Sequence, residues 1–191
     1  GKSFSTDTLM TYLLNIGCTD TQINLLTKDD SLRRANIQRF KDIFAELPPY
    51  LLQRTKADTN NTEEISISRR NNFYKTHVPQ SSPKNAEKVG RGFTAPINLV
   101  DEAAFIENIA IAMGAMLMSG NAAREFARQL KKMYGTVIAT TAGNIDDRDG
   151  SYVYNLAMNG TFWDEHLFDC VDEDDLNATI LKNSSASKNS A

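Results

Sequence analysis

Cysteine is almost absent from this chain: Cys18 and Cys170 are the only two in 191 residues. They lie far apart and form no metal-ligand spacing, which argues against a disulfide-stapled scaffold and a zinc module. They read as the reduced thiols of an intracellular protein. The two histidines, His77 and His166, stand alone, and no Ser-His-Asp grouping can be assembled from the sequence. No apolar run reaches the roughly 18 residues of a membrane helix, and no signal peptide is recognisable. An excess of one charge is lacking as well. Lys and Arg number 21 against 24 Asp and Glu, a net charge of −3, so no global basic field announces nucleic-acid binding. There is no internal repeat. What remains is 41% hydrophobic and 24% charged, an ordinary globular composition in a length that suits one domain with a substantial core.

The pattern along the chain alternates. Phe4, Leu9, Met10, Leu13 and Leu14 keep helical spacing from Ser3 to Ile16, with Gly17 as the stop. Ile23, Leu25 and Leu26 form a short buried strand over 22–27. Residues 31–46 predict an amphipathic helix that ends before Pro48-Pro49. Residues 64–78, "EISISRRNNFYKTHV", alternate apolar and polar as a β-hairpin does. A polar loop is expected over 79–92 and a strand over 96–101, "INLVD". Helix is expected over 103–134, broken near Ser119-Gly120-Asn121, then a strand at 135–140 and a helix over 151–160. "EHLFDCVD" is expected to be a last strand. "DEDDLNATILK" has the acidic start of a helix, and the tail after it is low in complexity. Strands alternating with helices imply an α/β fold, with a mostly parallel sheet covered on both faces and ligands bound at the carboxyl ends of its strands.

Two short motifs give that fold a chemistry. Gly1-Lys2-Ser3, running straight into a helix, matches the end of a phosphate-binding loop, although three residues also suit an arbitrary start or a cloning scar. Asp101-Glu102 closes the apolar "INLV" run. A phosphate-loop enzyme needs one carboxylate at such a strand end to hold Mg²⁺ with the loop hydroxyl. A second carboxylate can activate water. The bland reading of Asp101-Glu102 is a solvated strand end. A third piece, Thr140-Thr141 in "TVIATTAGN", offers hydroxyls that can sense a γ-phosphate, or simply the β-branched end of a strand.

Together, "GKS", "AELPPYL", "GRGFTAPINLVDEAAFIEN" and "VIATTAGNIDDRDGSYVYNL" resemble the ATPase part of the large terminase subunit of tailed bacteriophages, over residues 1–160. The resemblance implies a P-loop NTPase-type three-layer sandwich. It implies that Gly1, Lys2 and Ser3 bind nucleotide, with ATP as substrate, and that Ser3 and Asp101 hold Mg²⁺. Glu102 would then be the catalytic base, Thr140 and Thr141 the coupling motif, and Arg91 a finger acting on a neighbouring subunit's nucleotide. Arg91 reads equally as a surface loop arginine. The implied partners are double-stranded viral DNA, the portal protein, the small terminase subunit and further copies in a ring. The implied place is the host cytoplasm, on the procapsid, with no membrane.

Departures from the family pattern are plain. The glycine-rich half of the phosphate loop, the strand before it and the following nuclease domain are not in the sequence. The expectation is therefore an internal piece, 1–160 partial motor domain, 161–182 its end or a linker and 183–191 a flexible tail, inefficient as an enzyme by itself. Alternatives are a helicase of the same core, or a fragment or binding module without turnover. "DDRDG" at 146–150 lacks the spacing and final Glu of a calcium loop and reads as an acidic turn. Arg33, Arg34, Arg39, Lys41, Arg69, Arg70 and Lys75 either touch DNA phosphates or solvate their own elements.

Overall fold

Apolar runs and amphipathic segments resolve into five strands and seven α-helices among the described residues. The computed structural model describes the backbone of residues 1–79, 82–91, 94–161 and 163–188, and the side chains of all of these except 89–91 and 185–188. Helix α1 (Lys2–Tyr12) runs into a π turn over Leu13–Gly17. Then come β1 (Gln22–Thr27), α2 (Asp30–Glu46), β2 (Glu64–Ile67), β3 (Asn72–His77), α3 (Pro83–Arg91) and β4 (Ile97–Asp101). The chain continues with α4 (Ile109–Ser119), α5 (Asn121–Gln129), β5 (Gly135–Ala139), α6 (Arg148–Met158) and α7 (Glu173–Lys188). It divides into two compact units, residues 1–152 and 153–191.

The sheet has the order β2-β3-β1-β4-β5. Strands β3, β1, β4 and β5 run parallel, and β2 adds an antiparallel edge through the hairpin to β3. This is the mostly parallel α/β architecture expected from the sequence. The register sets Thr27 beside Asp101 and Asp101 beside Ala139, so β1, β4 and β5 end together at one side of the sheet.

One face of the sheet carries the main core. Ile23, Leu25, Ile97, Leu99 and Tyr74 meet Met10, Leu13 and Leu14 of the first helical segment and Ile37, Phe40 and Phe44 of α2. The Phe40 and Tyr74 rings stack at 4.5 Å between centroids. Each such buried side chain contributes about 1.5–3 kcal/mol relative to exposure. Asn24, Leu26, Asn98 and Val100 point to the other face and are buried too, so that face is also covered. Helix α2 begins at a strong signal: the Asp29 carboxylate accepts the Leu32 N–H at 2.8 Å.

Local expectations fail in three places. Residues 83–91 form α3 instead of a polar loop. Pro83 sits at the first helical position, where its missing N–H costs nothing, and the Ser82 hydroxyl caps the Asn85 N–H at 3.3 Å. The helix expected from 103 starts only at Ile109. Left-handed Glu102 and Asn108 flank a 3-10 turn at Ala103–Phe105 and interrupt it. The segment expected as a last strand is a 3-10 turn, Glu165–Phe168, because Asp164 bonds the His166 N–H locally at 3.0 Å. The polar run after Lys182 continues α7 to Lys188. Among the described residues, no helix is long and apolar enough to cross a membrane.

Candidate active site at the carboxyl ends of the strands

The site grows from the end of β4. Asp101 is 1% exposed, at the last position of a strand whose every residue is buried. Its Oδ2 accepts a hydrogen bond from Asn36 Nδ2 at 2.9 Å. Its Oδ1 is buried with no partner, and so is the hydroxyl of Thr27, its neighbour in register on β1. Paired residues of parallel strands point to the same face, so both unsatisfied oxygens lie on one face of the sheet.

The chain leaves β4 through a left-handed residue. Glu102 has φ 55° and ψ 44°, a conformation that costs a residue with a Cβ about 1–2 kcal/mol. Its N–H donates to Ala139 O of β5 at 2.6 Å. Such strain persists where the surroundings impose it, and it collects at functional sites. The carboxylate of Glu102 is held from two sides. Lys2 Nζ, in the first turn of α1, lies 3.0 Å from Oε1. The Thr141 hydroxyl donates to Oε2 at 3.2 Å and the Thr141 N–H at 3.4 Å. Burial by itself would raise the pKa of Glu102; the Lys2 and Thr141 bonds and the Lys2 charge outweigh it and hold the carboxyl below its ordinary value.

Thr140 grips the same turn from the backbone side. Its hydroxyl accepts the Ala104 N–H at 3.1 Å and donates to Thr141 O at 2.9 Å. Behind it, Gly143 lies so close that a Cβ there would fall 2.8 Å from Ala104 Cβ. Arg148 Nη2 donates to Asn108 Oδ1 at 2.7 Å, and Asp149 accepts the Asn108 N–H at 2.9 Å. The first turn of α6 thus fastens onto the start of α4.

The structure brings Lys2, Glu102, Thr140 and Thr141 together, with Asp101 next in the chain. Gly1 caps α1, its carbonyl accepting from Phe4 N at 3.1 Å and Ser5 N at 3.3 Å. Ser3 is half-buried in the first turn, and among the described residues no hydrogen bond joins it to Asp101. Arg91 ends α3, and its side chain lies outside the described residues.

Sequence reasoning missed a buried polar chain beneath these groups. Arg39 Nε donates to Asp7 Oδ2 at 2.8 Å, Arg39 Nη2 donates to Asn36 Oδ1, and Asn36 donates on to Asp101. The available signal was polar residues on apolar helix faces: Asn36 sits with Ile37 and Phe40 on α2, and Asp7 with Met10 and Thr11 on α1. Burial raises the Asp7 pKa to about 6, against the lowering effect of Arg39 and with a further push from Asp101.

Five of the seven arginines and lysines suggested for DNA have internal partners. Arg33 and Arg34 pair with Asp30, Arg39 with Asp7, and Lys75 with Glu64. Arg70 donates to Cys18 O at 2.9 Å and Ile16 O at 2.6 Å. A groove of about 510 Å³ lies at the other end of the sheet, lined by Leu9, Tyr12, Leu13, Tyr134 and Val137. It lacks the convergent polar groups of the carboxylate site.

Among the described residues, no group of three or more His, Cys, Asp or Glu could hold a metal ion. A cation here would rely on one carboxylate, hydroxyls, water and ligand oxygens, which is the habit of Mg²⁺. The unpartnered oxygens of Asp101 and Thr27 fit that demand.

No family profile matches the sequence, and no curated protein shows significant sequence similarity to it. The fold does have a neighbour among solved structures, the large terminase of bacteriophage HK97. The TM-score is 0.51 at 12% identity, over 81% of this chain and 29% of the terminase chain. The chain thus spans less than a third of that protein's length and shares its fold over that part.

Proposed function

We propose that this chain is the nucleotide-hydrolysing motor part of a phage large terminase subunit, coupling ATP hydrolysis to the movement of double-stranded viral DNA into a procapsid. One observation carries the reading. Lys2, at the amino end of a helix, meets Glu102 at the end of a central parallel strand, beside buried Asp101 and clasped by Thr141.

In this reading Lys2 and the first amides of α1 receive the phosphates, since a helix start offers both N–H donors and positive potential. Ser3 and Asp101 hold Mg²⁺, which when bound offsets the charge of the phosphates. Glu102 orients and deprotonates the attacking water. Its depressed pKa makes it a weak base while Lys2 is paired with it, so binding of phosphate to Lys2 releases Glu102 toward its ordinary basicity. Thr140 and Thr141 span from the Glu102 carboxylate to the Ala104 backbone, so loss of the γ-phosphate would be felt at the start of the turn that leads to α4. Arg91 supplies charge to the nucleotide of a neighbouring copy in a ring. The portal protein and the small terminase subunit complete the assembly in the host cytoplasm.

Equilibrium titration of the full-length protein with ATP, with and without Mg²⁺, tests the reading. Asp101→Ala should remove the Mg²⁺-dependent part of nucleotide binding. Equal binding by Asp101→Ala and the natural protein would overturn the metal assignment. If the natural protein showed no Mg²⁺-dependent binding, the non-catalytic reading would be favoured.

A further inference from the structure

We propose that Asn36 is a positioning residue for Asp101, and that Arg39 and Asp7 tie it to the helix that carries Lys2 and Ser3. The inference rests on the reading of Asp101 as the Mg²⁺-associated carboxylate. It adds a role for three residues that no motif marks.

The chain Asp7–Arg39–Asn36–Asp101 crosses the buried space between α1, α2 and β4. Asp7 and Asn36 are each 1% exposed, as is Asp101. A carboxylate at a strand end could present either oxygen by rotating about its last bond. Asn36 Nδ2 takes Oδ2 at 2.9 Å and leaves Oδ1 unpartnered, on the sheet face that Thr27 shares. The amide itself cannot flip, because its Oδ1 is fixed by Arg39 Nη2, and Arg39 is anchored through Nε to Asp7. Asp7 lies five residues after Lys2 on α1. One rigid polar chain therefore sets both the facing of the carboxylate and the seat of the phosphate-end helix relative to β4. Partners that orient a ligating carboxylate in this way generally affect metal affinity strongly when removed.

The test is nucleotide binding by the full-length protein across a Mg²⁺ titration, with thermal unfolding of each variant alongside. Asn36→Ala should raise the Mg²⁺ concentration needed for half-maximal nucleotide binding by about tenfold, the low end for such partners. In an Asp101→Asn background the same substitution should shift it no further, because the carboxylate being oriented is already gone. A merely structural role would lower the unfolding temperature equally in both backgrounds and leave the Mg²⁺ requirement of Asn36→Ala unchanged, and that result overturns the proposal. If Asn36→Ala does not fold, Arg39→Lys takes its place: it keeps a cation at Asp7 but loses the bond to Asn36. An unchanged Mg²⁺ requirement there overturns the proposal, and a raised one supports it. Failure of Asp101→Ala to alter Mg²⁺ dependence would instead sink the underlying metal reading.

Discussion

The Lys2 ammonium and the Glu102 carboxylate are 3.0 Å apart, joining the start of α1 to the end of β4. Two groups to which the proposed function gives opposite tasks toward a nucleotide therefore neutralise each other. Both are partly exposed, so the pair is worth at most about 1 kcal/mol. That is small enough for a phosphate to break.

Removing the proposed base should separate binding from chemistry. Glu102→Gln in the full-length protein should cut steady-state ATP hydrolysis by about 10²-fold or more. It should also free Lys2, and nucleotide binding should tighten by up to about fivefold. Unimpaired hydrolysis would remove Glu102 from its role and leave the Asp-Glu pair a simple strand end.

The strain at Glu102 has its own signature. Glycine adopts φ 55° without a Cβ clash, whereas alanine keeps the penalty. Glu102→Gly should therefore be more stable than Glu102→Ala by about 1 kcal/mol, although both lose the Lys2 pair. Urea unfolding of the two variants decides it, and equal midpoints would show that the turn carries no strain.

Asp7 makes stability depend on pH. Its pKa rises from 3.8 unfolded to about 6 folded, with burial the main cause, Arg39 opposing and Asp101 adding. The folded state thus binds the proton more tightly. The stability this contributes is complete below pH 3.8 and is lost as pH rises through about 6. Relative to Asp7→Asn, the natural protein should lose about 2 kcal/mol between pH 4.5 and 7.5. Denaturant midpoints at the two pH values check this. A constant difference between the proteins would mean that Arg39 keeps Asp7 ionised throughout.

Gly150 should tolerate no side chain. A Cβ there would lie 2.1 Å from the Asn144 carbonyl oxygen, a backbone atom that cannot swing aside. Gly150→Ala should lower the melting temperature by several degrees, consistent with a loss of about 1–3 kcal/mol from overpacking. Gly114→Ala, within α4 where nothing lies within 4 Å, is the matched control and should hold or slightly raise it, since alanine favours helix over glycine.

The sequence by itself determined the α/β class, the three parallel strands and the hairpin, because period and composition are local properties of a chain. It also marked Lys2, Asp101, Glu102 and Thr140-Thr141 as chemical groups on suitable elements. It misjudged residues 83–91, where Pro83 starts a helix in a stretch read as a polar loop, and 165–172, where Asp164 closes a turn on its own backbone. Only the tertiary structure decided that Lys2 pairs with Glu102, that Thr141 holds the same carboxylate, and that Asp7, Arg39 and Asn36 reach Asp101 from two helices. Asn36 and Asp101 are 65 positions apart, and Lys2 and Glu102 lie a hundred apart by their numbers. No periodicity spans such distances. The partners meet because burying the apolar faces of α1 and α2 on one sheet leaves their few polar residues no water, and each must find its hydrogen bond inside.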